Sequence, residues 1–221
     1  MHSLEVKSLT YSYNGKDKIL DDISFTVQPG ECVGISGLNG SGKTTLCYCL
    51  CGIIPYFYKG QMSGEVLVNN TDTKKIHLHK LALEIGIVFQ DPNDQIIMPT
   101  VEDEIAFVME NHGLPRDEMT RRIDKITELL GIAGLKGEHP HRLSGGEKQL
   151  VALATALVLD PGIIVFDESL AMLDDKTSNR LLAMIETLKK SGKTLIIVDH
   201  TGKSAHLVGR VLVLEEGRIV E

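Results

Sequence analysis

The chain has 221 residues, enough for one large α/β domain or a core with a smaller inserted subdomain, and its 43% hydrophobic and 24% charged residues exclude disorder as the default. A formal net charge of −7, with no cluster of Lys and Arg, works against a strong nucleic-acid binder. The longest nearly uninterrupted apolar run, 150–159, is short of the roughly 20 residues that span a bilayer, and the opening "MHSLEVKSLTYSY" has no apolar signal core, so a cytosolic chain is expected.

In chain order, 4–7 and 23–27 read as sheet strands and 31–36 as a short buried strand. "GLNGSGKTTLCYCLCG" follows directly, a Gly-rich loop opening a helix that Gly52 can end. Cys47, Cys49 and Cys51 do not share a helix face, so with Cys32 they are expected to be small buried hydrophobes in a reducing compartment rather than metal ligands. Further strands are predicted at 65–68 and 85–90, with a helix near 78–83 between them. The stretch 101–131 carries helical periodicity broken at Gly113 and Pro115, which predicts two helices and an inserted helical subdomain of about 91–142. From Ser144 the order runs helix, strand (163–166), helix (176–190), strand (194–198), short helix and a last strand near 211–214. Strands alternating with helices imply a mainly parallel sheet covered on both faces. No internal repeat or low-complexity tract interrupts this order.

Gly37 to Thr44, "GLNGSGKT", satisfies the phosphate-loop pattern G-x-x-x-x-G-K-[ST]. Its glycines let backbone N–H groups face a phosphate chain, Lys43 adds a point charge, and the Thr44 hydroxyl can ligate Mg²⁺. "IIVFDE" at 163–168 is an apolar strand ending in two carboxylates; in phosphate-loop NTPases such an acid holds Mg²⁺, which assigns Asp167 to the ion and leaves Glu168 as a proton acceptor for an attacking water. "LSGGEKQ" at 143–149 is a second anion motif: Ser144 and Glu147 fit a capping box, and Gly145 and Gly146 clear the approach to a positive helix end. The phosphate loop already saturates the chain's own triphosphate, so a phosphate held by another chain is the economical ligand for this second site.

These motifs, with "FQDP" and Gln90, "AMLD" at 171–174 and "VDH" with His200, resemble the Walker A, signature, Walker B, Q-loop, D-loop and H-loop motifs of ATP-binding cassette (ABC) ATPases, in the family's order and over nearly the whole chain. "VFQDPNDQIIMPTVEDEIAF" and "GIIPYFYKGQMSGEV" are most similar to the ATPases of energy-coupling factor (ECF) importers, a group that includes cobalt, nickel and vitamin transporters. The resemblance implies one ABC ATPase domain over 1–221: a RecA-like core and antiparallel β subdomain from 1–90 and 143–221, and the helical subdomain between. It implies that Tyr13 stacks on adenine, that Asn39, Gly40, Ser41, Gly42, Lys43, Thr44 and Thr45 wrap the phosphates, and that Thr44, Gln90 and Asp167 serve Mg²⁺. Glu168 is then the general base, His200 contacts the γ-phosphate, Gln90 also reaches the water as a catalytic residue while sensing the transmembrane subunit, and Ser144, Gly145 and Gly146 close over ATP on a second cassette paired head to tail, with Asp174 bridging the interface. Transmembrane subunits are the implied partners, contacted near 90–101 at the cytoplasmic face of the membrane, and nucleic acid is not one.

Ser169 stands where the family usually has Pro, and Leu150 where it often has Arg; neither position touches phosphate in the family pattern. Many ECF ATPases continue beyond the last strand into a C-terminal dimerisation segment, so the resemblance implies a shortened chain or one half of a tandem cassette. Two other classes compete with a transport motor. A soluble cassette acting on ribosomes or DNA is disfavoured by the absence of a basic patch, and a regulatory cassette that binds ATP without hydrolysing it by the presence of both Glu168 and His200.

Overall fold

The computed structural model describes residues 2–171 and 173–220; Met1, Glu221 and Met172, the last within the stretch likened to the D-loop, lie outside them. In chain order the elements are β1 (Leu4–Ser12), β2 (Leu20–Val27), β3 (Cys32–Ser36), α1 (Lys43–Leu50), α2 (Ile53–Tyr56), β4 (Gln61–Val68), β5 (Thr71–Asp72), α3 (Leu78–Leu81) and β6 (Ile85–Val88). There follow α4 (Val101–Glu110), α5 (Arg116–Leu129), α6 (Gly145–Leu157), β7 (Ile163–Asp167), α7 (Asp175–Lys190), β8 (Thr194–Val198), β9 (Arg210–Glu215) and β10 (Arg218–Ile219).

Two sheets form, as expected. A four-stranded antiparallel sheet has the order β2-β1-β4-β5, and a six-stranded sheet has the order β10-β9-β3-β8-β7-β6, parallel except at β10. All five residues of β7 and of β8 are buried, and they sort by alternation. Ile163, Val165, Ile196 and Val198 enter a core shared with α1 and the antiparallel sheet. Ile164, Phe166, Leu195 and Ile197 enter a second core with α4 to α7. Burial on both faces explains why these strands read as unbroken apolar runs. Between 91 and 142 the described residues form helices and short 3-10 turns only, and Ile105, Met109, Ile123 and Ile126 bury into the second core.

Several elements differ from the sequence reading. Strands β1 and β4 are longer than predicted because register shifts between Lys7 and Thr10, with Ser8 at φ 45, break the apolar alternation midway. Strands β5 and β10 were not foreseen; each returns from a two-residue turn, Asn69-Asn70 (φ 47 and 66) and Glu216-Gly217 (φ 45 and 77), whose left-handed residues suit a tight hairpin. The short helix expected after β8 is replaced by turns. The Asp199 carboxylate accepts from Thr201 N (2.7 Å) and Ser204 N (2.8 Å), giving that backbone an alternative to a helical ladder.

All four cysteines are free and buried; burial pushes the Cys32 thiol up to about 11 and Cys49 up to about 12, which leaves them protonated and inert.

Candidate functional site

Strands β3, β8, β7 and β6 lie side by side and parallel, so the residues that follow their C-terminal ends gather on one edge of the sheet. That edge receives the Gly37 loop from β3, His200 from β8, Glu168 from β7 and Gln90 from β6. Asp167 ends β7. Residues from four distant parts of the chain thus meet because of the strand order.

The loop turns into α1 at Gly42, whose φ of 103 and whose missing Cβ, which would lie 2.8 Å from the Ile19 carbonyl oxygen, require glycine there. A Cβ at Gly40 would meet nothing within 4 Å, so the loop's outer side is open to a ligand. Lys43 is 4% exposed; its Nζ donates to the carbonyls of Gly37 and Leu38 at 3.0 Å each and lies 3.3 Å from Glu168 Oε1. The Thr44 hydroxyl donates to Asp167 Oδ1 at 3.3 Å. Burial raises the Asp167 carboxyl to about 6, against lowering by the Thr44 hydrogen bond and Lys43, while neighbouring Glu168 adds to the rise.

Glu168 adopts a φ of 48, uncommon for a residue with a side chain, while its N–H donates to Val198 O at 3.0 Å. This turn separates the two carboxylates. Asp167 serves Thr44, whereas Glu168 lies between Lys43 and His200 Nδ1, the latter 3.1 Å from its Oε2. An open cavity of about 400 Å³ is lined by Tyr13, Asn39, Gly40, Lys43, Gln90 and Glu168, with Gly42, Thr44 and Thr45 also on its wall. The Tyr13 hydroxyl lies 3.2 Å from Thr45 Oγ1. Ser41 Oγ is buried without a hydrogen-bond partner among the described residues.

Ser144, Gly145 and Gly146 do not line this cavity. They form the start of α6, where the capping box is complete: Ser144 Oγ accepts from Glu147 N (3.3 Å) and Glu147 Oε2 accepts from Ser144 N (2.8 Å). The two glycines differ. A Cβ at Gly145 would meet nothing within 4 Å, but one at Gly146 would lie 2.6 Å from Thr177 Cγ2. The missing side chain leaves open space at Gly145 and admits α7 of the same chain at Gly146. Asp174 caps α7, accepting from Thr177 N at 3.0 Å.

Sequence reasoning missed the residues that hold the segment around Gln90. Gln149, 2% exposed, donates to Phe89 O at 3.0 Å; Gln95 accepts from Phe89 N at 3.3 Å and donates to Ala152 O at 3.1 Å. Glu104, also 2% exposed, accepts from Ile97 N and Met98 N at 2.8 and 2.7 Å. The one available signal was Gln149, a polar residue immediately before the apolar run "LVALATALVL" of the same helix.

The arrangement can hold a triphosphate on loop N–H groups and Lys43, with a carboxylate beside the terminal phosphate position. Thr44 and Asp167 offer two adjacent hard oxygens, and no group of three or more His, Cys, Asp or Glu side chains able to hold a metal occurs among the described residues. That donor set fits Mg²⁺, which keeps waters and phosphate oxygens rather than an all-protein cage.

Residues 20–171 match the family described as ABC transporter. The energy-coupling factor transporter ATP-binding protein EcfA1 of Halalkalibacterium halodurans is 39% identical over 98% of this chain and 77% of its own length. Among solved structures, CbiO1 from Clostridium perfringens, described as part of the ABC transporter complex CbiONQ, superposes with a TM-score of 0.86 at 33% identity, covering 100% of this chain and 87% of that one. The ATP-binding cassette MJ0796, solved as a dimer in a post-hydrolysis state with ADP and Pi, gives a TM-score of 0.86 at 26% identity over 99% of this chain and 97% of its own. A family match over most of the chain, with relatives that span nearly all of it, makes this protein a member of the ABC transporter ATPase family, a cassette that binds and hydrolyses ATP.

Proposed function

We propose that the chain is the motor subunit of an ECF-type importer, energising uptake of a metal ion or vitamin through membrane subunits, and that it works as one of two cassettes paired head to tail. The observation that carries the pairing is the separation within one chain of the cavity bearing Lys43 and Glu168 from the capped α6 end at Ser144. The importer reading is supported by the EcfA1 relative and the CbiO1 structure.

In this reading Tyr13 stacks on adenine, and Asn39 to Thr45 wrap the phosphates. Lys43 exchanges loop carbonyls for phosphate oxygens, which frees Glu168 Oε1 to accept a proton from water. Thr44, Asp167 and Gln90 serve Mg²⁺, an ion that would supply charge neutralisation at the phosphates. His200, 3.1 Å from Glu168, orients that carboxylate and reaches the γ-phosphate. Ser144, Gly145 and Gly146 present N–H groups and a positive helix end to the partner's γ-phosphate. Residues 91–142 act as the helical subdomain.

No described helix is long and apolar enough to cross a membrane, so the proposed attachment at the cytoplasmic face runs through other subunits. A groove of about 310 Å³, lined by Ile96, Ile97, Met98, Pro99, Pro140 and Lys148, is the proposed docking place, and Ile97 is 68% exposed in it.

Glu168→Gln tests the chemistry. It removes the base and keeps a hydrogen-bonding shape, so turnover should fall about 10²- to 10⁴-fold while ATP binding persists. Steady-state hydrolysis with equilibrium nucleotide binding checks this; undiminished turnover would place the base elsewhere.

A further inference from the structure

A line of aromatic rings leads away from Tyr13. Tyr11 and Tyr13 form a T-shaped pair with centroids 4.8 Å apart at 82°, and Tyr58 meets Tyr13 the same way with centroids 6.3 Å apart at 86°. Tyr58 in turn stacks on Tyr48 of α1, at 5.4 Å and 17°, and Tyr48 meets Phe89 in a T-shaped contact at 5.8 Å and 77°. Phe89 is the residue whose backbone is held on both sides by Gln95 and Gln149, and Gln90 follows it.

Tyr13 is 44% exposed near the end of a strand, where an aromatic side chain would ordinarily sample several rotamers. Here Tyr11, Tyr58 and the Thr45 hydroxyl hold it at three places. We propose that Tyr58 is a positioning residue for the nucleotide: braced by Tyr48, which packs against Phe89, it fixes the Tyr13 ring for base stacking. This rests on the reading of Tyr13 as the adenine platform. Tyr58 itself does not line the phosphate cavity, and its direct ring contact is with Tyr13, so its removal acts first on recognition of the base.

Edge-to-face and stacked aromatic pairs are worth enough to change an equilibrium about two- to tenfold when one ring is removed. Tyr58 is 44% exposed, so its replacement leaves the cores intact. The experiment titrates ATP and inorganic tripolyphosphate calorimetrically into the unaltered protein and into Tyr58→Leu, Tyr58→Phe and Tyr13→Ala. The proposal predicts that Tyr58→Leu binds ATP two- to tenfold more weakly and tripolyphosphate unchanged, and that Tyr58→Phe restores ATP affinity. Equal weakening of both ligands would reduce Tyr58 to general scaffolding and overturn the proposal. Unchanged ATP affinity in Tyr58→Leu, with a loss in Tyr13→Ala, would overturn it and leave the Tyr13 reading standing. No loss in Tyr13→Ala would overturn both.

Discussion

Asp167 is held at the end of a strand with every residue buried, where its Oδ1 accepts from the Thr44 hydroxyl. Burial lifts its carboxyl from the ordinary 3.8 to about 6, so the folded chain takes up a proton there that the unfolded chain lacks between about pH 4 and 6. The group's contribution to stability is fully present below the ordinary carboxylate pKa and is lost as the pH rises through about 6. Asp167→Asn keeps the shape without the charge and should raise stability at pH 8 by on the order of 2–3 kcal/mol, with little change at pH 4. Urea unfolding at both pH values checks this, and a variant no more stable at pH 8 would contradict it. At this scale the phosphate-loop residues and the two strand-end carboxylates were legible, because their types and spacing carry the chemistry. Gln95, Glu104 and Gln149 were not: each is a single polar side chain whose meaning comes from the distant backbone it reaches, and no local pattern records that.

Helix α6 joins two demands at its first turn. Its N-terminus is capped and open at Gly145, yet one residue on it is pressed against α7 at Gly146. Thr177 cannot rotate away freely, because its hydroxyl donates to Asp174 Oδ2 at 2.8 Å and its N–H to Oδ1 at 3.0 Å. Gly146→Ala should therefore cost about 1–3 kcal/mol of stability through overpacking, whereas Gly145→Ala should cost none. Paired denaturation curves check the contrast, and equal effects would contradict the packing role. Helix starts and the buried parallel strands were readable from capping residues and apolar runs. The full lengths of β1 and β4 were hidden by their bulge, and the two shortest strands by hairpin turns of Asn-Asn and Glu-Gly, which signal a turn without showing that a strand follows.

Across the whole molecule, strand order does the assembling. Adjacent parallel ends of β3, β8, β7 and β6 bring the Gly37 loop, His200, Glu168 and Gln90 to one edge, an order that alternation of strands and helices does not specify. The same fold keeps the Ser144 end of α6 off that cavity, and the proposed head-to-tail pairing takes the two as separated halves of an ATP site. Light scattering of the Glu168→Gln protein with and without Mg-ATP at several protein concentrations shows whether the halves complete each other only between chains. Head-to-tail pairing requires a dimer that forms only with Mg-ATP and is lost when Ser144→Arg is added. A protein that binds ATP tightly yet stays monomeric at every concentration, or a dimer indifferent to Ser144→Arg, would contradict it.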